Sequence, residues 1–338
     1  TNTLSASLDN VSWATSYPSN SSTLGDEPIN LKSAVVASLA SLNANIPTDN
    51  VSTLYKGYFS CRNFLAESNS EWNLDLQNLA ASPGNDCPSK EASLNGKIGF
   101  WISNPSTVEG IAIHTHGFEQ SKEEMFLLMD TFASRNIAMI AIDIWAHGER
   151  TYRDANGNGS LDDDSLLITA RYDNPTLTVG YILQTQFELL HLRTLLEANQ
   201  KIRTAIIGSS TTFPPVYFVG HSLGGFVASN FANTGFPVNR IVMSSAGGDI
   251  SDIGLNGGYG SDIRGAIALG LGIDPSTTAG QQSLNSTVLG LELAMAHGLS
   301  SGNIDPLVTA SASSSTPVLL QEMIGGKTVP NSNSELLS

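Results

Sequence analysis

The sequence predicts an α/β protein whose sheet is mostly parallel and carries helices on both faces. Three observations lead there. From Lys97 onward, short apolar and β-branched runs alternate with stretches of helical period, and such alternation specifies a parallel sheet wrapped on both sides. At Gly220 to Gly225 the hexapeptide GHSLGG follows the apolar run 215–219 and precedes the helix-like stretch 226–231, a strand–turn–helix signature. The 338 residues are 41% hydrophobic, enough for a substantial core.

Residues 1–95 lack a strong alternation of strand and helix signals. They hold a predicted helix at 30–42 and turn-rich sequence through Pro83-Gly84-Asn85-Asp86, and they read as an N-terminal extension packed on the body that 96–338 builds. Strands are expected at 97–103, 110–115 and 137–145, with an amphipathic helix at 122–135. A long helix at 175–198 follows, then the strand before the hexapeptide, the helix after it, and a strand at 240–244. Residues from about 249 to 315 are rich in Gly, Ser and Thr, with two apolar helical patterns at 263–271 and 288–297. Inserted before a last strand at 317–323, this segment reads as a cap able to shape an apolar acyl pocket, though ordinary packing helices have the same pattern.

In the hexapeptide turn the central residue takes a strained backbone conformation that only small neighbours tolerate. Gly220 and Gly224 therefore leave room for Ser222 to project from the sheet edge. The helix that starts there brings free N–H groups and a dipole favouring negative charge. This is a nucleophile elbow, the bland alternative being a chance glycine turn. Ester hydrolysis by a serine also needs a base, a group that orients the base, and N–H donors for the oxyanion. One donor is the backbone N–H of Leu223. The second is that of Phe118, in the loop His114-Thr115-His116-Gly117-Phe118 after a predicted strand, where a simple turn at Gly117 is the competing reading.

The base is harder to find. Each of the six histidines has a quieter explanation: His221 within the elbow, His116 supporting the donor loop, His147 in another loop, His114 in a strand, His191 in the long helix and His297 closing a cap helix. The segment 317–330, PVLLQEMIGGKTVP, resembles the strand and loop that deliver the acid a few residues before a Val-Pro pair in α/β-hydrolases, and the position which that resemblance implies holds Gly326. Asp249, just past the strand at 240–244, is the remaining candidate acid and is equally an ordinary helix cap. Either the chain stops short of the whole catalytic unit, so that a second polypeptide or a further C-terminal segment supplies the histidine, or the elbow belongs to a pseudoenzyme.

A formal charge of -15, from 31 acidic against 16 basic residues, repels phosphate backbones and anionic membranes and argues against a nucleic-acid partner. No apolar run approaches a membrane span. Cys61 and Cys87 lie in polar, Asn- and Ser-rich sequence that resembles exposed loop, and a disulfide between them suits an exported protein. The stretch 154–164 places Asp154, Asn156, Asn158, Ser160 and Asp162 at alternate positions with a glycine sixth, the first nine positions of a calcium loop. Ser165 stands where a bidentate Glu is preferred, and Asp163 or Asp164 offers a shorter closure. A structural Ca²⁺ is expected there, against a solvated acidic turn, and no organic cofactor is.

The order of motifs from Lys97 to the end is similar to the α/β-hydrolase superfamily. More narrowly, it resembles the exported bacterial lipases called virulence-factor lipases. The resemblance rests on His116-Gly117-Phe118, on Asp143 to Arg150 followed by the Asp/Asn/Gly-rich loop, on Arg171-Tyr172-Asp173-Asn174 leading into a long helix, on the elbow, and on 317–331. It implies a secreted or surface-attached carboxylic-ester hydrolase acting on acyl esters or lipids, lysophospholipids among them. Gly326 and the early end depart from that pattern. A non-catalytic binding module and an amidase or protease on the same scaffold are the alternatives.

Overall fold

The computed structural model describes residues 11–16, 24–68, 71–74, 87–152, 171, 174–233, 237–301, 316–324, 326 and 328–335. Its strands are β1 (Val11–Ala14), β2 (Leu24–Gly25), β3 (Thr53–Ser60), β4 (Leu65–Ser68), β5 (Glu71–Leu74), β6 (Lys97–Asn104), β7 (Gly110–Thr115), β8 (Ile137–Ile142), β9 (Val216–His221), β10 (Arg240–Ser244) and β11 (Val318–Gln321). Nine of them form one sheet in the order β11-β10-β9-β7-β8-β6-β3-β1-β2, and β4 and β5 form a hairpin. From β8 to β11 the neighbours run parallel, while β6, β3, β1 and β2 continue the sheet antiparallel.

The middle strands are buried on both faces, which is why GIAIHT and IAMIAI read as nearly unbroken apolar runs rather than alternating ones. The helices are α1 (Lys32–Ser41), α2 (Met129–Ala133), α3 (Pro175–Ala198), α4 (Gln200–Ile207), α5 (Leu223–Asn233), α6 (Ile250–Asn256), α7 (Gly260–Gly270), α8 (Thr278–Ser301) and α9 (Asn331–Glu335). One core cluster joins Leu189, Leu192 and Leu196 of α3 with Val227 and Phe231 of α5 against Ile111, Ile113 and Phe218 of the sheet. A second, containing Met125, Met129 and Trp101, fills the opposite face.

Four expectations change. Residues before 95 supply three strands to the central sheet. β3, TLYKGYFS, is hard to read as a buried strand because Lys56 and Gly57 interrupt it. Lys56 is nevertheless buried, its ammonium paired with Glu149, and a Cβ at Gly57 would lie 2.2 Å from the Phe100 ring. The strand expected at 137–145 ends at Ile142, since the Asp143 carboxylate turns in to accept from both the backbone N–H and the ammonium of Lys122, each at 2.7 Å. The helix expected at 122–135 is a 3₁₀ turn over Lys122–Leu127 followed by the short α2. Lys122, Glu123 and Glu124 are all tied to the body through Asp143, Trp101 and Gly117, which tightens that turn. Cys61 and Cys87 do form a disulfide, with Cα atoms 6.1 Å apart, but both are buried in the main core rather than exposed. Their segments are drawn inward where β3 ends and β6 begins: the Cys61 N–H donates to Gly96 O, and the Gly96 N–H to Cys87 O. Closing that loop restricts the unfolded chain by about 3.5 kcal/mol in the chain-entropy model.

Between β10 and β11 the chain forms α6, α7 and α8. The longest, α8, extends well past the expected 288–297. Leu284, Val288, Leu291 and Met295, spaced four, three and four apart, turn one stripe toward the body and account for its length. No helix among the described residues is long and apolar enough to cross a membrane.

Candidate active site

In the strand order β8-β7-β9, the chain leaves β7 for a neighbour on one side and later returns on the other. The crevice beyond the carboxyl ends of β7 and β9 is therefore a topological switch point, where open α/β sheets take their ligands. Ser222 stands there, between the last residue of β9 and the first of α5. Its φ is 50°, in the left-handed region that costs a non-glycine residue on the order of 1–3 kcal/mol.

The surrounding backbone enforces that strain. Ser222 N–H donates to Ser244 O at 2.8 Å, Gly224 N–H to His116 O at 3.0 Å, and Phe226 N–H to Ser222 O at 3.1 Å, so the elbow is fastened to its neighbours on both sides. A Cβ at Gly220 would lie 2.2 Å from Gly224 O, and one at Gly224 would lie 2.2 Å from Thr115 O, so both positions require glycine.

The loop after β7 abuts the elbow: a Cβ on Gly117 would sit 3.5 Å from the Ser222 Cβ. Its conformation is set by His116, which accepts at Nε2 from Ile144 N–H (2.9 Å) and therefore carries its proton on Nδ1, donated to Gly117 O at 2.7 Å. With the Gly117 carbonyl also accepting from Gln120 N–H, the trans peptide aims the Phe118 N–H the opposite way, away from His116. Among the described residues neither the Phe118 N–H nor the Leu223 N–H donates to a protein acceptor. Phe118, Ser222 and Leu223 line one cavity.

That cavity is almost wholly apolar. Ile144 and Trp145 from the loop after β8, Tyr181 and Ile182 from α3, Phe226 from α5, and Ile250, Ile253, Ile263 and Met295 from the cap helices wall it, and Thr328 and Val329 border it. Phe118 packs edge-on against His147 (5.4 Å between ring centres) and at a tilt against Tyr259 at the start of α7 (5.5 Å).

The histidines are occupied elsewhere. Burial lowers His116 to about 4, and burial with the neighbouring His116 ring lowers His147 to about 3, so both are neutral near pH 7. His147 turns Nδ1 to Trp145 O, and His191 packs on Phe59 with its pKa lowered by burial to about 4. His114 is buried within β7 and His297 is exposed on α8. His221 is hydrogen-bonded through Nδ1 to Glu124, which raises its pKa against the opposing effect of burial. Among the described residues none of them is bonded to the Ser222 hydroxyl. Asp249 caps α6, accepting from Asp252 N–H at a φ of 54°, and it does not line the cavity. Gly326 sits in the loop just before the two residues that border the cavity, its N–H on Met323 O.

Asp154, Asn156, Asn158, Ser160, Asp162 and Asp164 lie outside the described residues. Among those described, the one group with metal-ligating spacing is Cys61, Cys87 and Glu188; the cysteines are bonded to each other and Glu188 is paired with Arg150.

Sequence reasoning missed Glu124. Its Oε2 accepts from Gly117 N–H at 2.8 Å and its Oε1 meets His221 Nδ1, so one carboxylate joins the two loops. Its only trace in the sequence was an acidic pair that resembles the solvated side of a helix. Missed as well was a buried charge network of Lys122, Asp143, Glu149 and Lys56. Asp143, Glu123 and Glu149 hold the Lys122 ammonium well above its ordinary pKa despite its burial, while burial and the nearby Lys122 charge lower Lys56.

The parallel run β11-β10-β9-β7-β8 with helices on both faces and an elbow between β9 and α5 is the fold of the α/β-hydrolases. No family model and no curated protein matches the chain. Solved structures similar to it include acetyl xylan esterase 1 from Thermoanaerobacterium sp. JW/SL YS485, at 13% identity and a TM-score of 0.47 over 87% of this chain and 74% of that one. The Pyrococcus furiosus esterase Pf2001 aligns at 15% identity and 0.42, covering 74% of each chain. TT1662 from Thermus thermophilus aligns at 18% and 0.40, over 71% of this chain and 78% of that one.

Proposed function

We propose that this α/β-hydrolase-fold protein is an exported carboxylic-ester hydrolase that works through an acyl-enzyme on Ser222. The observation that carries this reading is the left-handed Ser222 at the rim of an apolar cavity, flanked by the unused N–H groups of Leu223 and Phe118. Ser222 Oγ would bond to the carbonyl carbon of an ester as its proton passes to a base. The two N–H groups would hold the oxyanion, and the leaving alcohol would take the proton as the acyl–oxygen bond breaks. Water would then release the acid by the reverse relay. An apolar wall favours an aliphatic or aromatic acyl group, a lipid acyl chain among them.

The base in this reading is a histidine from outside the chain's own six, delivered by a second polypeptide or by a further segment, because each of the six is engaged or placed elsewhere. The buried disulfide suits an oxidising, extracellular setting. Calcium binding by Asp154 to Asp164 is proposed on the sequence pattern alone.

A second reading, a binding module that keeps the elbow without the relay, is favoured by the lack, among the described residues, of a hydrogen bond to the Ser222 hydroxyl. A fluorophosphonate probe separates the two. The natively assembled protein is expected to label at Ser222, and Ser222→Ala to lose labelling and ester turnover by at least about a thousandfold. An assembled protein that never labels establishes the binding module.

A further inference from the structure

We propose that Glu124 is a positioning residue that sets the spacing of the two oxyanion donors by tying the loop after β7 to the elbow. This rests on the ester-hydrolase reading of Ser222. The two donors come from chain segments more than a hundred residues apart, Phe118 and Leu223, and an oxyanion site works only if both N–H groups are aimed within tenths of an ångström. Glu124 touches the chain just ahead of each donor: Oε2 accepts from the N–H of Gly117, one residue before Phe118, and Oε1 from the ring of His221, two residues before Leu223.

The two loops are close enough for the carboxylate to span. A Cβ on Gly117 would come within 3.2 Å of His221 Nδ1, so the glycine lets the His221 ring lie flat against the loop. Glu124 is itself held by the 3₁₀ turn that begins at Lys122, whose backbone N–H and ammonium both end on buried Asp143. Its carboxyl is kept ionised against the cost of burial by the nearby His114 ring, 3.8 Å away, by His221 and by the Gly117 N–H, and a charged acceptor makes the His221 and Gly117 bonds stronger than neutral ones. His116 orients the Gly117–Phe118 peptide plane from the other side through the Gly117 carbonyl. The plane is thus pinned by its C=O, and the residue that carries it by its N–H.

The test compares Glu124→Ala, which removes both contacts, with Glu124→Gln, which keeps an acceptor for the Gly117 N–H and loses the charge. With p-nitrophenyl butyrate and the assembled enzyme, Glu124→Ala should lower kcat about a hundredfold, the scale of a lost oxyanion donor, with KM within threefold. Glu124→Gln should recover about tenfold of that loss. Hydrogen exchange needs no turnover: the amides of Gly117 and Gln120, both hydrogen-bonded in this loop, should exchange at least about tenfold faster in Glu124→Ala, with β7 and β9 unchanged. A wild-type protein that turns over ester while Glu124→Ala keeps its kcat, or exchange at Gly117 and Gln120 that does not move, overturns the positioning role. A wild-type protein inert toward ester whose Glu124→Ala variant still loosens Gly117 and Gln120 refutes the hydrolase reading and leaves the clamp standing.

Discussion

Two regions at the carboxyl ends of the same sheet are built in opposite ways. Around β7, β8 and β9 the loops are close to saturated with hydrogen bonds: His116 uses both ring nitrogens, Asp143 takes three donors, Gly117 and Gly224 give their N–H groups to Glu124 and His116, and the charged side chains beneath are buried in pairs. Along β11, the edge strand among the described residues, the apolar surface is open. Leu319 is 54% exposed, Ile324 just beyond it is 94% exposed, and the neighbouring cap carries exposed Leu269, Leu271, Leu289 and Leu293. The first region has the connectivity needed to hold strain and aim N–H groups. The second has open apolar surface and the wrong residue, Gly326, where an acid was expected. On the hydrolase reading proposed above, the described residues supply the backbone geometry such a site needs and do not form a proton relay.

Acid should break the saturated side first and produce the largest effect. His116 is held at about 4 and His147 at about 3, below the roughly 6.5 of a free imidazole, so the unfolded chain binds these protons before the folded one does. Stability is therefore present above about pH 6.5 and falls as the pH drops toward the folded values. The loss is about 1.4 kcal/mol per pH unit for each ring, or on the order of 3 kcal/mol per unit for the two together. Urea melts from pH 7 to pH 4 measure it; a midpoint constant from 6.5 to 5 would mean that the two rings are not buried in their neutral form.

Next in size is Gly224→Ala. The new methyl would meet Thr115 O at 2.2 Å, Thr115 C at 2.6 Å and His116 O at 2.8 Å, all backbone atoms that cannot swing aside. The elbow must shift from β7, at a cost of about 3 kcal/mol, and fluorophosphonate labelling should vanish with it. A variant that melts within 1 kcal/mol of wild type and still labels would show that the elbow is not wedged against β7.

Legibility followed the physics of each part. Ser222, Gly220, Gly224 and the Gly117–Phe118 turn could be read because backbone strain and close approach restrict residue type, and that restriction is written locally. α3 was read to its ends because twenty-four residues of consistent pattern, opened by Pro175, leave little freedom. Glu124 could not be read, since its meaning comes from His221, ninety-seven residues away. β3 hid behind Lys56, whose partner Glu149 is ninety-three residues distant, and the buried cysteines hid in polar sequence whose fold turns it inward. Asp249 was placed as a candidate acid from its position after β10. It is bound up in capping α6, a role that the same Asp-before-helix pattern encodes equally well.

The smallest expected effect sharpens the comparison most. On the isolated chain, Leu319→Ser at the bare edge should change stability by less than about 0.5 kcal/mol, because a side chain already half in water loses little burial when truncated. The matched change on the saturated side, Ile113→Ser in fully buried β7, should cost several kcal/mol from the lost burial and an unpaired hydroxyl. Among the described residues β11 pairs with β10 alone, and its other edge offers backbone groups to a further strand. If the polypeptide that brings the histidine docks along that edge, Leu319→Ser will leave the isolated chain's melting unchanged yet reduce Ser222 labelling in the assembled protein. Equal labelling of both forms would place the delivery of the base elsewhere, over the cap instead of along β11.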